Sequence, residues 1–408
     1  MRRPALGCAL AAALVLGGCG GGDALKPPVV PGRTLHVYTS LPFQGDLAGR
    51  ARNTYDAERL ALAEAGARAG RYRVRLVPLD DSTLDAGRWD PNQVIVNARR
   101  ATQDPRTIAY IGELDTGASA VSIPVLNQKG ILQVSPADGL AGLTRREGAT
   151  RGEPEKYYPD PRRSFMRIVP PDNRQAAALA AYMKELGVTR LYVANDGGGY
   201  GVAMADSVVV DAAALGIGVV ANDTITPQRA DYAGAARKIV RTVPDAVFFG
   251  GTAHDRAEAL WGDVHTVAPN LKLFAPNALA LPDFYGRLGP AAASTYLVDP
   301  SIPPRDRSQT YRSFVDRFRR AFHHPPDPYA VYGYEAMRVV LGTLRRAGRG
   351  ANDRRRVIRR AFGLRRTDSA VGPYSIGPQG DSTLRSFGAY RVRRGRLVFD
   401  RLLTPPGA

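Results

Sequence analysis

Apolar residues fall along this chain in short runs, separated by longer stretches in which they recur every three or four positions. Short runs at residues 35–39, 72–79, 108–112, 131–134 and 165–169 predict a first set of strands, with clean alternation through Tyr72, Val74 and Leu76. Runs at 190–194, 219–222, 244–251, 271–274 and 295–298 predict a second set. The longer stretches predict helices. One carries Tyr55, Leu60, Leu62 and Ala63 on its apolar face and ends at Ala65-Gly66. Others cover 91–104, 120–130, 170–187, the stretch after Gly201 up to 215, 229–243, 306–322, and on to 362. Three further strand-like runs lie within 371–399. Strands that alternate with helices ask for parallel sheets.

The stretch from Ala109 to Thr144 concentrates this pattern. A buried strand ends at Gly112, a small polar turn follows (Asp115-Thr116-Gly117-Ala118-Ser119), then a helix with Ala120, Ile123, Val125 and Leu126, then a second strand. Loops after parallel strands share one carboxyl edge, where open α/β sheets bind ligands. The first loop is expected to present free backbone N–H groups at a helix N-terminus, which suits a carboxylate. Residues 145–163 are polar and rich in charge, Pro and Gly, and read as an exposed excursion beside this edge.

At 408 residues the chain has room for two domains. The net charge of +18 invites a nucleic-acid reading. Arg is about eight times as frequent as Lys and the basic residues are scattered, densest at 345–366 and 391–396. Zinc-finger spacing, an RNP-like string and a basic region with heptads are all missing from the sequence, so a solvated basic surface, or one attracted to anionic lipid, fits better than a groove for DNA or RNA.

The N-terminus carries a basic start, Met1-Arg2-Arg3, and an apolar segment too short to span a bilayer. Residues 1–18 read as a signal peptide ending in Leu16-Gly17-Gly18-Cys19, which resembles a bacterial lipobox; the competing reading is a plain signal peptide with an incidental Cys. In lipobox signals the Cys is acylated and becomes the new N-terminus, and each buried methylene adds ~0.8 kcal/mol of membrane affinity. Residues 19–32 read as a flexible Gly/Pro tether. Cys8 lies in the leader, so the mature chain keeps no thiol besides Cys19 for a disulfide, metal site or nucleophile. The acidic pair Asp80-Asp81 suits capping or cross-loop hydrogen bonds better than a metal.

Several strings in one sequence order resemble the branched-chain amino-acid binding proteins of ABC importers. They are Leu41-Pro42-Phe43-Gln44-Gly45, Ile111-Gly112, Thr116 to Ser119, Gly130-Ile131, Ser135-Pro136-Ala137, Tyr200-Gly201, Gly250-Gly251, Tyr332-Gly333-Tyr334-Glu335-Ala336-Met337 and Gly372-Pro373-Tyr374. The resemblance covers nearly the whole mature chain. It implies two doubly wound α/β lobes of the periplasmic binding protein type I, joined by a three-strand hinge. Lobe 1 is expected over 33–168 plus 301–372, and lobe 2 over 169–300 plus 373–408.

The resemblance also implies ligand-binding positions: Thr116, whose hydroxyl would grip a ligand carboxylate, Ser119, the Ala137 carbonyl, Asp138, Gly139, Tyr200, Thr252 and Asn277. Two positions depart from the family. Gly139 stands where the family has a Thr, and Asn277 where a Glu neutralises the ligand ammonium. Asp138 is the candidate to replace that carboxylate; Arg50, near the cleft, would favour an acidic ligand, but an exposed Arg at the start of a helix is the preferred reading of it. The expected ligand is a branched-chain amino acid or a related small polar metabolite, an amide or organic acid. Expected partners are an ABC permease and, through Cys19, the membrane; the chain is expected to be an extracytoplasmic monomer without cofactor, metal or nucleic acid. Two rival functions remain: a lipid-anchored sensor of the same fold, and a hydrolase using His254 beside Asp255, for which HExxH, GxSxG and Walker strings give no support.

Overall fold

The computed structural model describes residues 29–225, 231–252, 256–302 and 308–405. Cys19, His254 and Asp255 lie outside the described residues.

The first sheet is built from β1 (Thr34–Leu41), β2 (Tyr72–Asp80), β3 (Thr107–Ile111), β4 (Leu132–Ser135) and β5 (Phe165–Arg167). Its order is β2-β1-β3-β4-β5, with the short strand Arg68–Ala69 outside β2. All neighbours among β1 to β5 pair in parallel. β1 and β3 are buried nearly end to end, as strands covered on both faces must be. α1 (Ala48–Glu64) covers one face, and α2 (Pro91–Gln103) and α3 (Ser119–Gln128) the other. Asp90 caps α2 through the amides of Asn92 and Gln93, with Pro91 as the first helical residue.

The second sheet follows the same plan. After α4 (Asp172–Glu185) come β6 (Arg190–Asn195), α5 (Gly199–Ala214), β7 (Gly218–Thr224), α6 (Ala233–Arg241), β8 (Ala246–Gly250), α7 (Ala257–Val267), β9 (Lys272–Ala275), the short α8 (Pro282–Tyr285) and β10 (Thr295–Asp299). The order is β7-β6-β8-β9-β10, extended antiparallel by β11 (Phe387–Arg393) and β12 (Arg396–Leu403). One core fills each face, the α4 and α5 side through Leu179, Met183 and Met204, the α6 and α7 side through Trp261 and Phe284.

The helices α9 (Gln309–Phe322), α10 (Ala330–Ala347) and α11 (Arg354–Ala361) return to the first sheet. Tyr311, Phe314 and Met337 share its core with Val37 and Ile111, as do Tyr374 and Ile376. The chain thus passes between lobes after β5, after β10 and again before β11.

Three local expectations differ from the structure. The buried side of α1 holds Ala51, Thr54, Ala57, Glu58, Leu60 and Ala61, turned from the predicted face. α10 lies so close that a Cβ on Gly333 would meet Thr54 Cγ2 at 2.6 Å, so small residues sit at the contact while Tyr55 and Leu62 pack half-buried at the edge of the core. The excursion at 145–163 is not simply solvated: Tyr157 and Tyr158 pack with Ile123, Leu143 and Phe165. The tether also ends early, because Val30 is buried in the first core and exchanges hydrogen bonds with Asn352.

Candidate ligand-binding site

The carboxyl ends of both parallel sheets converge on one cavity of about 120 Å³. From the first lobe come Asp46, Leu47 and Arg50 after β1, Leu114, Asp115 and Thr116 after β3, and Ala137 after β4. From the second come Tyr200 after β6, Thr252 after β8, and Asn277, Ala278 and Leu281 after β9. Tyr329, ahead of α10, also lines it, with Arg88 and Trp89. This is the ligand position that the strand order dictates, since loops diverge where a doubly wound sheet reverses its winding.

The lobe 1 loops are fixed by cross-loop hydrogen bonds. Asp80 accepts from the Phe43 amide (3.0 Å), the Ser82 amide (2.9 Å) and Gln44 Nε2 (2.8 Å), and these bonds hold its carboxyl below the ordinary range despite partial burial. Deeper, Asp81 and Glu113 share a buried site; burial and mutual repulsion raise Asp81 well up, and burial lifts Glu113 to about 7.

The loop after β3 differs from its expected chemistry. Its amides are not free. Asp138, fully buried, accepts from the amides of Gly117 (2.9 Å) and Ser119 (2.8 Å) at the start of α3 and of Leu140 (3.1 Å). The chain's own carboxylate fills the anion position expected for a ligand. Asp138, Ser119 and Gly139 therefore stand behind the wall rather than on it, whereas Thr116, Ala137, Tyr200, Thr252 and Asn277 line the cavity. Asp138 is committed to amides and does not stand in for the family's Glu.

Gly139 has a visible reason. A Cβ there would lie 2.0 Å from Asp172 Oδ1, so the space of the family's Thr side chain is taken by Asp172 from the N-terminus of α4. The Thr116 hydroxyl accepts from the Gly139 amide at 3.3 Å and bonds the Asp172 carboxyl across the lobes. Burial pushes Asp172 up to about 7, and its Oδ2 is buried without a hydrogen-bond partner among the described residues.

On the lobe 2 side a relay runs inward. Tyr200 Oη donates to Asn277 Oδ1 (3.2 Å), Asn277 Nδ2 donates to Tyr329 Oη (2.9 Å), and Tyr329 Oη donates to Asp299 (3.1 Å). Asn277 thus bridges two tyrosines and brings no charge. Arg50 spans the cleft: its Nη2 donates to the Ala280 carbonyl (3.3 Å), its Nε lies 3.5 Å from Asp327, and its guanidinium stacks 4.1 Å from the Tyr329 ring centre. Burial opposes its charge, but Asp327, Tyr329, Asp299 and Asp115 more than offset this and raise its pKa.

Asp115 completes the site. Its Oδ2 is buried without a hydrogen-bond partner among the described residues. Burial first, then the charges of Asp81 and Asp138, push it up to about 8, against the pull of Arg50 and Arg88. The sequence gives Asp115 only as part of a polar turn; the usable signal was an acidic residue in a loop leaving a buried parallel strand. Tyr329, Trp89 and Arg88 carried no comparable signal. Among the described residues, groups of His, Cys, Asp and Glu able to hold a metal are absent. No helix among them is long and apolar enough to cross a membrane.

This architecture has known counterparts. The chain is 26% identical over 359 residues to the Leu/Ile/Val-binding protein BraC3 of Rhizobium johnstonii, covering 88% of this chain and 91% of the relative. A leucine binding protein LivK from Thermotoga maritima superposes with a TM-score of 0.77 at 20% identity, covering 92% of this chain and all of that one. A solute binding protein of an ABC transporter from Rhodopseudomonas palustris, solved with p-hydroxybenzoic acid, gives 0.75 at 17% identity, covering 91% of this chain and 97% of that one. The family model described as periplasmic binding protein matches residues 39–396. With both lobes, their strand order and the shared cleft in agreement, the chain belongs to the periplasmic binding protein family.

Proposed function

We propose that this protein is the extracytoplasmic solute-binding subunit of an ABC importer, and that it captures a small amino acid or related amine between its lobes and hands it unchanged to a permease. The observation that carries the reading is the cavity shared by both lobes, with one unpartnered carboxyl oxygen, Asp115 Oδ2, at its wall. A buried carboxylate without a partner is costly, and a ligand ammonium relieves that cost. Arg50, whose Nε faces Asp327 at 3.5 Å but has no hydrogen-bond partner among the described residues, would take the ligand carboxylate. Thr252, Tyr200 and Asn277 would complete the polar shell, and Leu47, Leu114 and Leu281 would face the apolar part.

Relatives named for leucine, isoleucine and valine support the amino-acid class. The neighbour holding p-hydroxybenzoic acid makes an acid without an amine the competing ligand. The carboxyl groups of Asp115 and Asp172 beside Thr116 weigh against it at pH 8 and above, where they ionise and a ligand anion meets like charge.

In this reading the lobes follow the expected division, 33–168 plus 301–372 and 169–300 plus 373–408, save that Val30, Tyr374 and Ile376 belong to the first core and extend lobe 1 at both edges. Their three connections act as the hinge. The chain works as a monomer held at the membrane by acylated Cys19, and it carries out no reaction on its ligand. A thermal-shift screen of amino acids, amines, amides and small organic acids at pH 8 tests the reading. A ligand at a hundred times its Kd stabilises by about 2.7 kcal/mol. Amine-bearing hits recovered intact support it; hits confined to amine-free acids, or ligand converted to product, overturn it.

A further inference from the structure

Away from the cleft, lobe 1 carries a broad groove of about 800 Å³ between the end of α3, the segment before β5 and α11. Lys129, Arg162, Arg163, Arg354, Arg355 and Arg359 line it, against Asp160 as its one acidic lining residue among those described. Asp160 is occupied by Arg162. Arg163 stacks 4.1 Å over the Tyr158 ring, and its Nη1 is buried without a hydrogen-bond partner among the described residues. On the outer side of α11, Arg356, Arg359 and Arg360 form a second concave basic patch. Ile358 and Phe362, both half-buried, lie among these charges. α11 is thus a basic helix with a partly apolar flank, and the nearby Arg346 is held below its ordinary pKa by burial and then by Arg360 and Arg366.

A second observation says what this face meets. The first described residue, Val29, forms a β-bridge with Asp353, the residue that caps α11. The Val30 amide donates to the Asn352 carbonyl at 2.7 Å, and Asn352 Nδ2 donates back to the Val30 carbonyl at 3.0 Å. The first described residue therefore sits at the root of the basic helix, ten positions after Cys19. Even fully extended, the ten residues from Cys19 to Val29 span at most about 35 Å.

We propose that the face formed by α11 with Lys129, Arg162 and Arg163 is the surface on which the protein rests against anionic phospholipid headgroups. The orientation rests on the proposed anchor at Cys19, but the affinity of the face does not. Guanidinium groups bind phosphate bidentately, and an anionic bilayer attracts each nearby basic side chain by about fivefold in partition. The face sits where a short anchor would hold it.

The test is co-sedimentation of the full chain carrying Cys19→Ala, so that acylation plays no part. The vesicles are pure phosphatidylcholine or three parts phosphatidylcholine to one part phosphatidylglycerol. The expected result is binding to the mixed vesicles alone, lost at high salt. The variant Arg355→Gln/Arg356→Gln/Arg359→Gln/Arg360→Gln loses about a hundredfold or more of this binding with its ligand-induced thermal shift intact. The milder pair Arg359→Gln/Arg360→Gln, which serves if the fourfold change disturbs folding, loses at least tenfold. The control Arg393→Gln/Arg394→Gln/Arg396→Gln removes exposed basic residues from the β11–β12 hairpin and keeps binding. Equal losses in control and α11 variants would reduce the effect to net charge and overturn the proposal. So would binding to heparin without binding to vesicles, or no binding to either. Mass spectrometry of Cys19 in membranes of cells making the unmodified chain reads the anchor separately, so failure of one reading is distinct from failure of the other.

Discussion

Asp115 and Asp138 share one side-chain chemistry and meet opposite surroundings. Three amides saturate Asp138, so Asp138→Ala leaves buried donors unpaired and costs about 2–4 kcal/mol in denaturant unfolding. Asp115 has an unsatisfied oxygen, and Asp115→Asn is expected to weaken ligand binding at least tenfold while stabilising the empty protein at pH 8 by about 1 kcal/mol. The sign follows from protonation. With its folded pKa lifted to about 8, Asp115 holds a proton that the unfolded chain has released above its unfolded pKa, so its contribution to stability falls as pH rises between the two. A cationic ligand needs the ionised form. Affinity should therefore climb from pH 6 to 8, with protons released on binding near pH 7; titration calorimetry in two buffers of different ionisation enthalpy reads this directly. Thr116, Ala137, Tyr200, Thr252 and Asn277 were legible because their place in the loops fixes which edge they reach. The roles of the two aspartates were not, since Asp138 reaches amides about twenty residues away and the pull on Asp115 comes from Asp81, Asp138, Arg50 and Arg88 on other loops.

The main strands and helices were legible, because each set of apolar runs keeps the spacing of a parallel sheet; the short α8 and the strand at Arg68–Ala69 were not. What escaped was which side of an element is buried when small residues let neighbours approach, as α10 does at Thr54. The connection between β4 and α4 depends on a similar fit. Gly139→Ala places a Cβ against Asp172 and is expected to cost about 1–3 kcal/mol, with the double variant Gly139→Ala/Asp172→Ala recovering most of it in thermal melts. β5 is tied to the C-terminal segment by a buried pair: Arg167 Nε donates to Asp381 at 2.8 Å, and Thr144 donates to the same carboxylate at 2.7 Å. Asp381→Ala strands the Arg167 guanidinium and should cost about 3–5 kcal/mol, read by denaturant unfolding. The polar excursion could not be read as packed from composition, because its two tyrosines find partners on α3 and β5 that lie far away in sequence.

The two lobes together set the response to pH and to ligand. Asp381 is depressed to about 2, mainly by Arg167 and Arg145 acting against its burial, so its stabilisation is present above the unfolded pKa and lost as pH falls toward 2. Asp115, Asp172 and Glu113 are raised to about 8, 7 and 7, chiefly by burial, and erode stability as pH climbs toward those values. The empty protein is therefore expected to be most stable near pH 4–5, and a melting profile that peaks at pH 7 or above would contradict this. Ligand should oppose the alkaline loss, because its ammonium takes the place of the proton on Asp115. The most direct measurement is equilibrium titration at pH 8 with three matched compounds: the best amino acid from the thermal screen, the acid that lacks its amine, and the amine that lacks its carboxylate. The account predicts that losing the amine weakens binding about a hundredfold and losing the carboxylate far less. Tighter binding of the amine-free acid, unchanged in Asp115→Asn, would contradict it.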